Sequence, residues 1–486
     1  MYYSRTELEE KMKKDDYDVI VIGGGAAGLV AATGTAALGA KTALIEKNRL
    51  GGDCTWYGCI PSKALLKSAQ VFYLFTRGKE FGISGDMQCR PDGVMAHVRD
   101  VVGEISAHHP PEVFEKRGIT VLFGNAKFLD SRMIELDGKR ISSKRFIICT
   151  GSHPLVPAID GLKDVGYLTN ENIFDLHILP QSIAVLGGGP IGVEISQALS
   201  MLGVEVSIIE MADSILFRED KEIADVVAHT LVQEGVKIYL GKRAVKFSKE
   251  DNVINITLED KDKKQSTIQT EKVFVAVGRA PNVAGLDLEK AGVKYSNKGI
   301  EVDNTLRTTA HTIYSCGDVA GPYLFSHMAE YQAVIAVGNA LLPFKRKVDY
   351  STVPWCTFTY PELAHVGLTE EEARGKFVDI KIYKSSYSGN DRAVTDLEKT
   401  GFAKVICDNK GYVLGAHIVG ANAGEIIHEY VLAKSAGIKI SKLSSVVHVY
   451  PTLAQVVKRS ADQYYFTMMS SRWFKKLSKF FVGLLR

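Results

Sequence analysis

The chain has 486 residues, 46% of them hydrophobic and 24% charged, with 44 glycines against 14 prolines. Its length allows about three domains with separate cores, and its composition excludes disordered, collagen-like and disulfide-scaffold proteins. The formal net charge is +3, but residues 472–486 supply five cations and no acid, so the rest of the chain carries a net charge of −2 and no nucleic-acid partner is expected.

The N-terminal segment Met1–Asp16 carries charges of both signs and lacks the basic-then-apolar order of a secretion signal, so no such signal is predicted. Residues 19–40 form a run of 22 uncharged residues, which is long enough to suggest a membrane helix. Six of these residues are glycine, however. We therefore interpret the run as a strand, a turn and a helix of a soluble domain.

Two glycine-rich motifs organise the chain. The first follows a strand over residues 18–22 and leads through an apolar helix to a second strand that ends at Glu46. The second follows a strand over residues 183–186 and leads through a helix to a strand that ends at Glu210. In both copies the acid stands 23 residues after the first glycine. The glycines are Gly23, Gly25 and Gly28 in the first copy and Gly187, Gly189 and Gly192 in the second.

This spacing matches the Gly-x-Gly-x-x-Gly fingerprint of dinucleotide-binding units. One glycine makes the tight turn, the second lets the backbone approach a pyrophosphate, and the third lets the helix pack on the strand. The helix N-terminus then faces the phosphates, and the acid can accept hydrogen bonds from a ribose. Two copies with the same strand, helix and acid predict two such units, against the alternative of ordinary tight turns in an α/β sheet.

Later segments complete the outline. Two apolar strands end at Gly151 and Gly278, and we interpret them as crossings of the chain between the two units. The charged run 259–264 is expected to form an exposed hairpin loop. Beyond about residue 346 the pattern changes to alternating strands, so a third domain of a different kind is predicted there.

Seven cysteines, of which only Cys54 and Cys59 are close in sequence, favour a reducing, cytoplasmic location. The pair lies at the predicted start of a helix, where a thiol pKa is lowered and redox cycling is favoured. Zinc binding is the competing interpretation, but the chain has neither a second close cysteine pair nor a His-x-x-x-His motif. The other cysteines are expected to be small buried side chains: Cys89, Cys149, Cys316, Cys356 and Cys407.

Four segments carry a family resemblance: the cysteine segment 51–63, the run 315–318, the run 278–282 and the run 358–362. Together they resemble the pyridine nucleotide-disulfide oxidoreductases, flavoproteins that include lipoamide dehydrogenase, glutathione reductase and mercuric reductase. The resemblance covers nearly the whole chain. It implies an α/β fold with two Rossmann-like dinucleotide-binding domains, for FAD and NAD(P), and a C-terminal α+β dimerisation domain in a homodimer.

The resemblance implies three domains and a C-terminal helix. They are residues 1–155 and 278–345 for the two parts of the FAD-binding domain, 156–277 for the NAD(P)-binding domain, 346–471 for the dimerisation domain and 472–486 for a basic C-terminal helix. The resemblance assigns FAD to the first glycine motif and Glu46, and a nicotinamide dinucleotide to the second motif and Glu210. Further implied cofactor-binding residues are Gly52, Lys63, Gly151, Gly278, Asp318 and Ala329.

The resemblance also implies roles for the reactive residues. Electrons are expected to pass from the nicotinamide through FAD to a Cys54–Cys59 disulfide. Cys54 corresponds to the thiol that meets the substrate, and Cys59 to the thiolate beside the flavin. Lys63 and Glu194 resemble the ion pair beside the flavin's reactive nitrogen, where charge tunes the cofactor.

The acid of the second motif bears on the choice of nicotinamide cofactor. Glu210 favours NADH, because a carboxylate binds a free 2′-hydroxyl and repels a 2′-phosphate. NADPH is the alternative, since Arg218 follows eight residues later and can reach a phosphate.

The C-terminal region departs from the pattern of the disulfide-reducing members, which carry a His-Pro pair and a Glu five residues after the His. This chain has Tyr450 and Gln455 at those positions, and His448 nearby is expected to be structural. A tyrosine hydroxyl, with a pKa of about 10, is a poor base for thiol exchange. Tyr450 resembles mercuric reductase, whose thiols hold a soft metal ion, whereas packing at a dimer interface is the alternative. The C-terminal vicinal cysteine pair of mercuric reductases has no counterpart after Cys407, and the N-terminal metal-binding domain of many members is not seen before the first strand.

The C-terminal residues 472–486 predict a basic amphipathic helix. Fifteen residues at about 1.5 Å each span roughly 22 Å, less than the ~30 Å bilayer core, so the helix can lie on a membrane but not cross it. Packing against its own dimer is the alternative. Its apolar residues are Trp473, Phe474, Leu477, Phe480, Phe481, Leu484 and Leu485, and its cations are Arg472, Lys475, Lys476, Lys479 and Arg486.

The sequence thus predicts an FAD-dependent NAD(P)H oxidoreductase that reduces its Cys54–Cys59 disulfide and then a soft metal ion, as in mercuric reductase, or a disulfide acceptor. Tyr450 is included among its catalytic residues. Dihydrolipoamide dehydrogenase is the alternative enzyme, and a membrane-associated redox sensor without turnover is the alternative from another class. The histidines are scattered along the chain, and no permanently bound metal is predicted.

Overall fold

The computed structural model describes residues 15–85 and 88–485. Of the N-terminal segment predicted not to be a secretion signal, residues 1–14 lie outside the described part of the chain, as does Arg486 at the C-terminus. The strands are β1 Tyr17–Ile22, β2 Thr42–Glu46, β3 Ile119–Phe123, β4 Ala126–Phe128, β5 Met133–Leu136, β6 Lys139–Ile148, β7 Ser152–Pro154, β8 Ser182–Leu186, β9 Glu205–Ile209, β10 Lys237–Tyr239, β11 Lys242–Glu250, β12 Val253–Asp260, β13 Gln265–Thr270, β14 Lys272–Val275, β15 Arg279–Pro281, β16 Tyr295–Ser296, β17 Gly299–Ile300, β18 Ile313–Ser315, β19 Pro354–Thr357, β20 Glu362–Gly367, β21 Ile380–Ser386, β22 Phe402–Asp408 and β23 Val413–Gly420.

Helices cover the faces and edges of the sheets. They are α1 Ala26–Ala37, α2 Gly52–Trp56, α3 Cys59–Thr76, α4 Pro91–Ser106, α5 Pro111–Glu115, α6 Leu162–Val165, α7 Pro190–Met201, α8 Lys221–Gln233, α9 Ser326–Leu341, α10 Glu370–Lys376, α11 Asp391–Thr395, α12 Ala423–Ile426, α13 His428–Ser435, α14 Ile440–Ser444, α15 Gln455–Ser470 and α16 Arg472–Leu484. The uncharged run 19–40 is therefore part of β1, a turn and α1. Among the described residues no helix is long and apolar enough to cross a membrane.

Two parallel sheets repeat the same arrangement. In the first, the order β3-β2-β1-β6 is parallel, with β18 added beside β6. In the second, the order β10-β9-β8-β14 is also parallel. Such sheets are covered on both faces, and their central strands are accordingly apolar runs: residues 19–22 and 183–186 are buried. Each glycine motif lies at the carboxyl end of the central strand, where ligands bind in open α/β sheets.

The C-terminal domain contains a mixed-length antiparallel sheet, β19-β20-β23-β22-β21, packed against α15. This confirms the predicted α/β fold with a different C-terminal domain. Residues 261–264 form the exposed loop of the antiparallel hairpin β12–β13, as predicted, whereas residues 259 and 260 are the end of β12 and are half-buried. At the C-terminus α16 begins after Ser471, whose hydroxyl accepts a hydrogen bond from the Phe474 N–H. No residue of α16 is buried.

The structure corrects the prediction for two of the isolated cysteines. Cys149, Cys316 and Cys407 are buried as expected, but Cys89 and Cys356 are only partly buried. Cys89 lies in the connection before α4, and Cys356 lies on the edge strand β19, so neither has a full shell of neighbours. The fold also brings Cys149 and Cys316 together, with their Sγ atoms 3.4 Å apart, although they are far apart in sequence.

Candidate active site

The first glycine motif is a turn that only glycine can make. Gly23 has a φ of +105°, and a Cβ there would lie 2.4 Å from the Cys149 carbonyl oxygen. A Cβ on Gly28 would lie 1.7 Å from the Gly23 carbonyl oxygen, so α1 can pack on β1 only without a side chain at that position. Gly52 has a φ of +61°, and its Cβ would lie 2.6 Å from the Gly25 Cα. The cysteine segment therefore rests directly on the glycine turn.

The second motif repeats this geometry. Gly187 also has a φ of +105°, and its Cβ would lie 2.5 Å from the Ala276 carbonyl oxygen. A Cβ on Gly192 would lie 2.0 Å from the Gly187 carbonyl oxygen, whereas a Cβ on Gly189 would meet no described atom within 4 Å. The open side of Gly189 lies at the N-terminus of α7, where backbone N–H groups and the helix dipole favour a phosphate.

The two acids hold their own turns in the same way. Glu46 Oε2 accepts the Gly24 N–H at 2.6 Å, and Oε1 accepts the Asn48 N–H at 2.8 Å. Glu210 repeats both contacts with Gly188 at 2.6 Å and Ala212 at 2.8 Å. Each oxygen keeps a further lone pair, and both side chains line the cavity described next. Both acids thus lie beside their glycine turns on the wall of one cavity.

A continuous cavity of about 2780 Å³ connects the two motifs. Single small-molecule sites measure about 300–1,000 Å³, so this cavity has room for two dinucleotides. Among the residues implied by the sequence it is lined by Gly23, Gly25, Glu46, Gly52, Cys54, Cys59, Lys63, Gly151, Gly187, Gly189, Glu194, Glu210, Gly278, Asp318 and Ala329. Gly28 and Gly192 do not line it, in keeping with their packing role, and Tyr450 does not line it either. The two glycine turns, the two acids and the cavity volume fit FAD and a nicotinamide dinucleotide.

Cys54 and Cys59 stand beside the first turn. Cys54 lies in α2, and Cys59 is the first residue of α3, so the predicted helix start applies to Cys59. Both are thiols in this structure. A hydrogen bond from Cys54 lowers the pKa of Cys59 to about 6, and the same hydrogen bond, with burial, raises the pKa of Cys54. Ser326 at the start of α9 adds a hydroxyl 3.5 Å from the Cys59 Sγ.

Lys63 and Glu194 form the ion pair that the sequence implied. Lys63 Nζ donates to Glu194 Oε2 at 2.8 Å, and the Glu194 side chain is only 7% exposed. Glu194 Oε1 accepts the Phe358 N–H at 2.9 Å, and the Phe358 ring lies 4.3 Å from Lys63 Nζ. The pair joins α3 to α7 on the cavity wall, and Phe358 contacts both of its members.

A polar network around Arg279 was missed by the sequence analysis. Arg279 Nε donates to the Ser152 hydroxyl at 2.7 Å, which in turn donates to Asp318 Oδ2 at 2.6 Å. The guanidinium also lies 3.2 Å from Asp53 Oδ1, beside the first cysteine. Burial raises the pKa of Asp318, which sits at the cavity wall. Arg279 lies in the segment 278–282, which carries part of the family resemblance. A charged residue shortly after the apolar strand β14 was the sequence signal that could have identified this network.

Tyr450 lies apart from the cysteines of its own chain. Its ring is 65% exposed, and its hydroxyl donates to Asp391 Oδ2 at 3.0 Å. The neighbouring His448 is held by Glu429, with Nε2 and Oε1 3.0 Å apart. The structure therefore brings together every implied catalytic residue except Tyr450.

Comparisons with known proteins agree with this geometry. Residues 17–340 match the family model of the pyridine nucleotide-disulphide oxidoreductases, and residues 353–461 match the dimerisation domain of that family. A mercuric reductase from Bacillus cereus is 33% identical over 91% of this chain and 70% of its own length. A dihydrolipoyl dehydrogenase from Corynebacterium glutamicum is 36% identical over 92% of this chain and 97% of its own.

Comparison with solved structures also agrees with this geometry. The HOCl-induced flavoprotein disulfide reductase RclA from Escherichia coli superposes with a TM-score of 0.83 at 29% identity, covering 92% of this chain and 99% of its own. A Cu(II) complex of an RclA variant superposes with a TM-score of 0.84 at 28% identity and the same coverage. Family members use FAD and NAD(P)H as cofactors. The chain belongs to the pyridine nucleotide-disulphide oxidoreductases.

Proposed function

We propose that this chain uses NADH to reduce a Cys54–Cys59 disulfide and passes the electrons to a soft metal ion or to a disulfide acceptor. The observation that carries the proposal is the hydrogen-bonded cysteine pair on the cavity wall, one thiol with a lowered pKa and the other with a raised one. A pair that shares one proton in this way matches a dithiol that exchanges with a disulfide.

The chain's own residues provide the setting for this exchange. The two glycine turns and their acids would hold FAD and the nicotinamide dinucleotide, and FAD when bound transfers two electrons from NADH to the disulfide. Overall, NADH, one proton and the disulfide give NAD⁺ and two thiols, one of them ionised once Cys59 loses its proton. Glu194 holds the Lys63 ammonium group on the cavity wall, where charge can tune the cofactor. Glu210 supports NADH over NADPH, because its carboxylate repels a 2′-phosphate.

The two thiols have separate tasks. Cys59, with its pKa of about 6, is ionised near neutral pH and stays beside the cofactor site. In the dithiol Cys54 holds the shared proton, and as the thiol that meets the acceptor it releases this proton when it binds the metal ion or attacks a disulfide. Thiolates are soft ligands and prefer soft metal ions. This preference supports Hg(II) as the acceptor, and also Cu(II), whose reduction gives the soft ion Cu(I). The mercuric reductase relatives and the Cu(II) complex of RclA support the same choice.

A homodimer completes this proposal. The segment that carries Tyr450 exposes large apolar side chains, including Val447 at 94% and Val449 at 76%. Contiguous apolar exposure of this kind marks a protein interface. In the homodimer Tyr450 of the partner subunit would face Cys54 and contact the acceptor, where a hydroxyl offers a hydrogen bond but little basicity.

Dihydrolipoamide dehydrogenase is the second candidate, because the Corynebacterium glutamicum relative matches over nearly its whole length. The Tyr450 and Gln455 positions argue against efficient lipoamide reduction, since no side chain there takes up a proton near neutral pH. The further possibility is a redox sensor that is reduced once without turnover.

One experiment separates the three. FAD-loaded full chain is mixed anaerobically with NADH and either Hg(II) in excess thiol, Cu(II) or lipoamide, and NADH consumption is followed. We expect turnover with a metal ion that is lost in Cys54→Ala and Cys59→Ala and kept in Cys89→Ala, a matched cysteine outside the cavity. Turnover with lipoamide alone would establish the second candidate. One equivalent of NADH consumed with every acceptor would establish the sensor.

Tyr450→Phe tests the part of the proposal that concerns the acceptor. It should lower turnover with the metal ion and leave the first reduction of the disulfide by NADH unchanged. Unchanged turnover on every acceptor would assign Tyr450 to dimer packing alone.

We further infer that α16 docks on an anionic membrane surface. Trp473, Phe480 and Leu484 on this helix are all more than half exposed, and the described chain covers none of them. The helix also carries four cations and no acid among its described residues, which supports a negatively charged lipid surface as the contact.

A further inference from the structure

A second cluster of potential ligands lies away from the cysteines, where the loop before α8 packs on the C-terminal sheet. His365 on β20 and His417 on β23 are direct cross-strand partners, and their rings lie 4.2 Å apart. Glu219 reaches them from the loop, with Oε2 2.7 Å from His365 Nδ1. The three side chains are between 0% and 4% exposed. Two imidazoles and a carboxylate therefore meet inside the protein.

Among the described residues, no lysine or arginine forms an ion pair with Glu219. The neighbouring Asp220 has Lys404, whose Nζ lies 2.8 Å from Asp220 Oδ2 and also contacts Glu222 and Glu370. Within the ion pairs of residues 15–85 and 88–485, Glu219 contacts only His365 and His417. A buried carboxylate without a cation costs on the order of several kcal/mol, so a cation bound at this point would stabilise the folded chain.

His365 and Glu219 are each oriented by a hydrogen bond to a group outside the cluster. His365 Nε2 lies 2.9 Å from the Gly367 carbonyl oxygen, which can only accept, so this nitrogen carries a proton and Nδ1 points at Glu219. Glu219 Oε1 accepts the Trp355 indole N–H at 2.6 Å, which leaves Oε2 for the cluster. Metal-binding histidines and carboxylates are oriented by partners of this kind.

His417 supplies an independent observation. Both of its ring nitrogens are buried, and neither has a hydrogen-bond partner within the described chain. Carboxylate oxygens stand 3.7 Å from Nδ1, on Glu219, and 3.6 Å from Nε2, on Asp220, beyond hydrogen-bond distance. Buried polar atoms are nearly always paired, and an orphaned ring nitrogen aimed at a carboxylate points to a ligand between them.

We propose that Glu219, His365 and His417 bind a divalent transition-metal ion of the Zn(II) type. One ligand atom from each residue lies within 4.8 Å of the others. Zinc bonds of about 2.0–2.2 Å place tetrahedral ligands about 3.4 Å apart, so the 3.7 Å pair closes slightly and the 2.7 Å pair opens by a few tenths of an ångström or more. Glu219 and His365 line the large cavity, which gives the ion a route of entry.

The three ligands come from two domains, so the ion would fasten the loop before α8 to the C-terminal sheet. Sequence spacing gave no indication of this site, because the histidines come from strands that meet only in the folded sheet. The site uses neither cysteine of the proposed redox pair. Its failure would therefore leave the proposed electron transfer untouched, and the reverse also holds.

Zinc content tests the proposal directly. FAD-loaded full chain in its oxidised state, in which a Cys54–Cys59 disulfide cannot bind metal, is dialysed against ZnCl₂ and then against buffer, and bound zinc is measured by mass spectrometry. We expect about one zinc per chain in the parent protein. The same stoichiometry is expected in His229→Gln, an exposed histidine on α8 that serves as a matched control.

His417→Gln and Glu219→Gln should each lower the zinc bound per chain at least tenfold relative to the parent protein. The FAD content and sedimentation of each variant establish that it is folded, and the second variant keeps the test decisive if the first does not fold. A parent protein without zinc, or equal zinc in the parent and both variants, would overturn the proposal.

Discussion

Lys63 and Glu194 connect the helix that begins at Cys59 to the helix of the second glycine motif, with Nζ and Oε2 2.8 Å apart. The contact joins the two helices on the wall of the cavity that connects the two glycine motifs. Replacing the cation leaves a carboxylate that is 7% exposed without its partner. The pair is therefore both a domain contact and a source of fixed charge inside the cavity.

We expect Lys63→Gln to slow the reduction of the bound flavin by NADH on the order of tenfold, or ~1.4 kcal/mol in activation free energy. Anaerobic stopped-flow absorbance measures this rate. Lys67→Gln, four residues later on the same helix and exposed, is the matched control and should keep the parent rate. Equal rates in the two variants would contradict a role for the fixed charge.

The pKa of Cys59 should depend on a hydrogen-bond donor at position 54. Cys54→Ser keeps a donor, so the pKa of Cys59 should stay near 6, whereas Cys54→Ala should let it return toward its ordinary value of 9.0. The readout is the pH dependence of Cys59 alkylation by iodoacetamide, mapped by peptide mass spectrometry. The rate should fall below about pH 6 in the serine variant as the thiolate takes up its proton. A pKa near 6 in both variants would assign the shift to another group.

Glu210 should set the preference for the nicotinamide cofactor. We expect kcat/KM to favour NADH over NADPH by about tenfold or more, because the carboxylate repels a 2′-phosphate. Glu210→Ala should narrow that ratio, whereas Glu205→Ala, exposed at the start of the strand that Glu210 follows, should leave it unchanged. A tenfold preference of the parent protein for NADPH would show that Arg218 dominates instead.

Glu234 should make the protein less stable as the pH rises. Burial raises the pKa of Glu234 to about 7 from 4.5, and Oε1 has no hydrogen-bond partner within the described chain. Between these values the folded state binds more protons than the unfolded state, so stability falls with rising pH. Glu234→Gln should remove about 2 kcal/mol of that pH-dependent loss between pH 5 and pH 8.

The urea midpoint of unfolding, measured at both pH values, tests this expectation. The exposed Glu250→Gln is the control and should leave the pH dependence as it is in the parent protein. An unchanged pH dependence in Glu234→Gln would mean that Glu234 is ionised in the folded state at little cost.

Truncation after Ser471 should abolish binding to anionic vesicles. Each cation near such a surface contributes about 1 kcal/mol, and the apolar face of α16 adds to it. Co-sedimentation with phosphatidylserine vesicles, at low and high salt, compares the full chain with the truncated one. Equal binding of the two would contradict the membrane proposal, and a change in sedimentation without vesicles would indicate that α16 packs within the dimer.

Local patterns were sufficient to predict much of the fold and the site. The two glycine motifs, the paired acids and the Lys63–Glu194 contact follow from short spacings and from the family resemblance, and the structure brings these residues to one cavity. Glycine positions are informative because a Cβ at Gly23 or Gly187 would overlap a carbonyl oxygen. Such a constraint is visible in sequence because no other residue type satisfies it.

Contacts that arise only from sheet pairing were not predictable in this way. His365 and His417 meet because β20 and β23 are neighbours, and the register that pairs them is a property of the whole C-terminal sheet. Cys149 and Cys316 likewise meet because β6 and β18 are adjacent. Within one chain Tyr450 contacts Asp391 and does not line the cavity, so its role at the cysteines depends on the proposed homodimer.

The two acids of the glycine turns have one more consequence. In each acid, both carboxylate oxygens already accept one backbone N–H group. The side-chain rotamer is therefore fixed by folding and not by the nucleotide. A glutamate side chain loses up to about 1.5–2 kcal/mol of conformational entropy when it is ordered. Because that loss precedes binding, differences in affinity between nucleotides at these positions report hydrogen bonding and charge, free of a contribution from side-chain ordering.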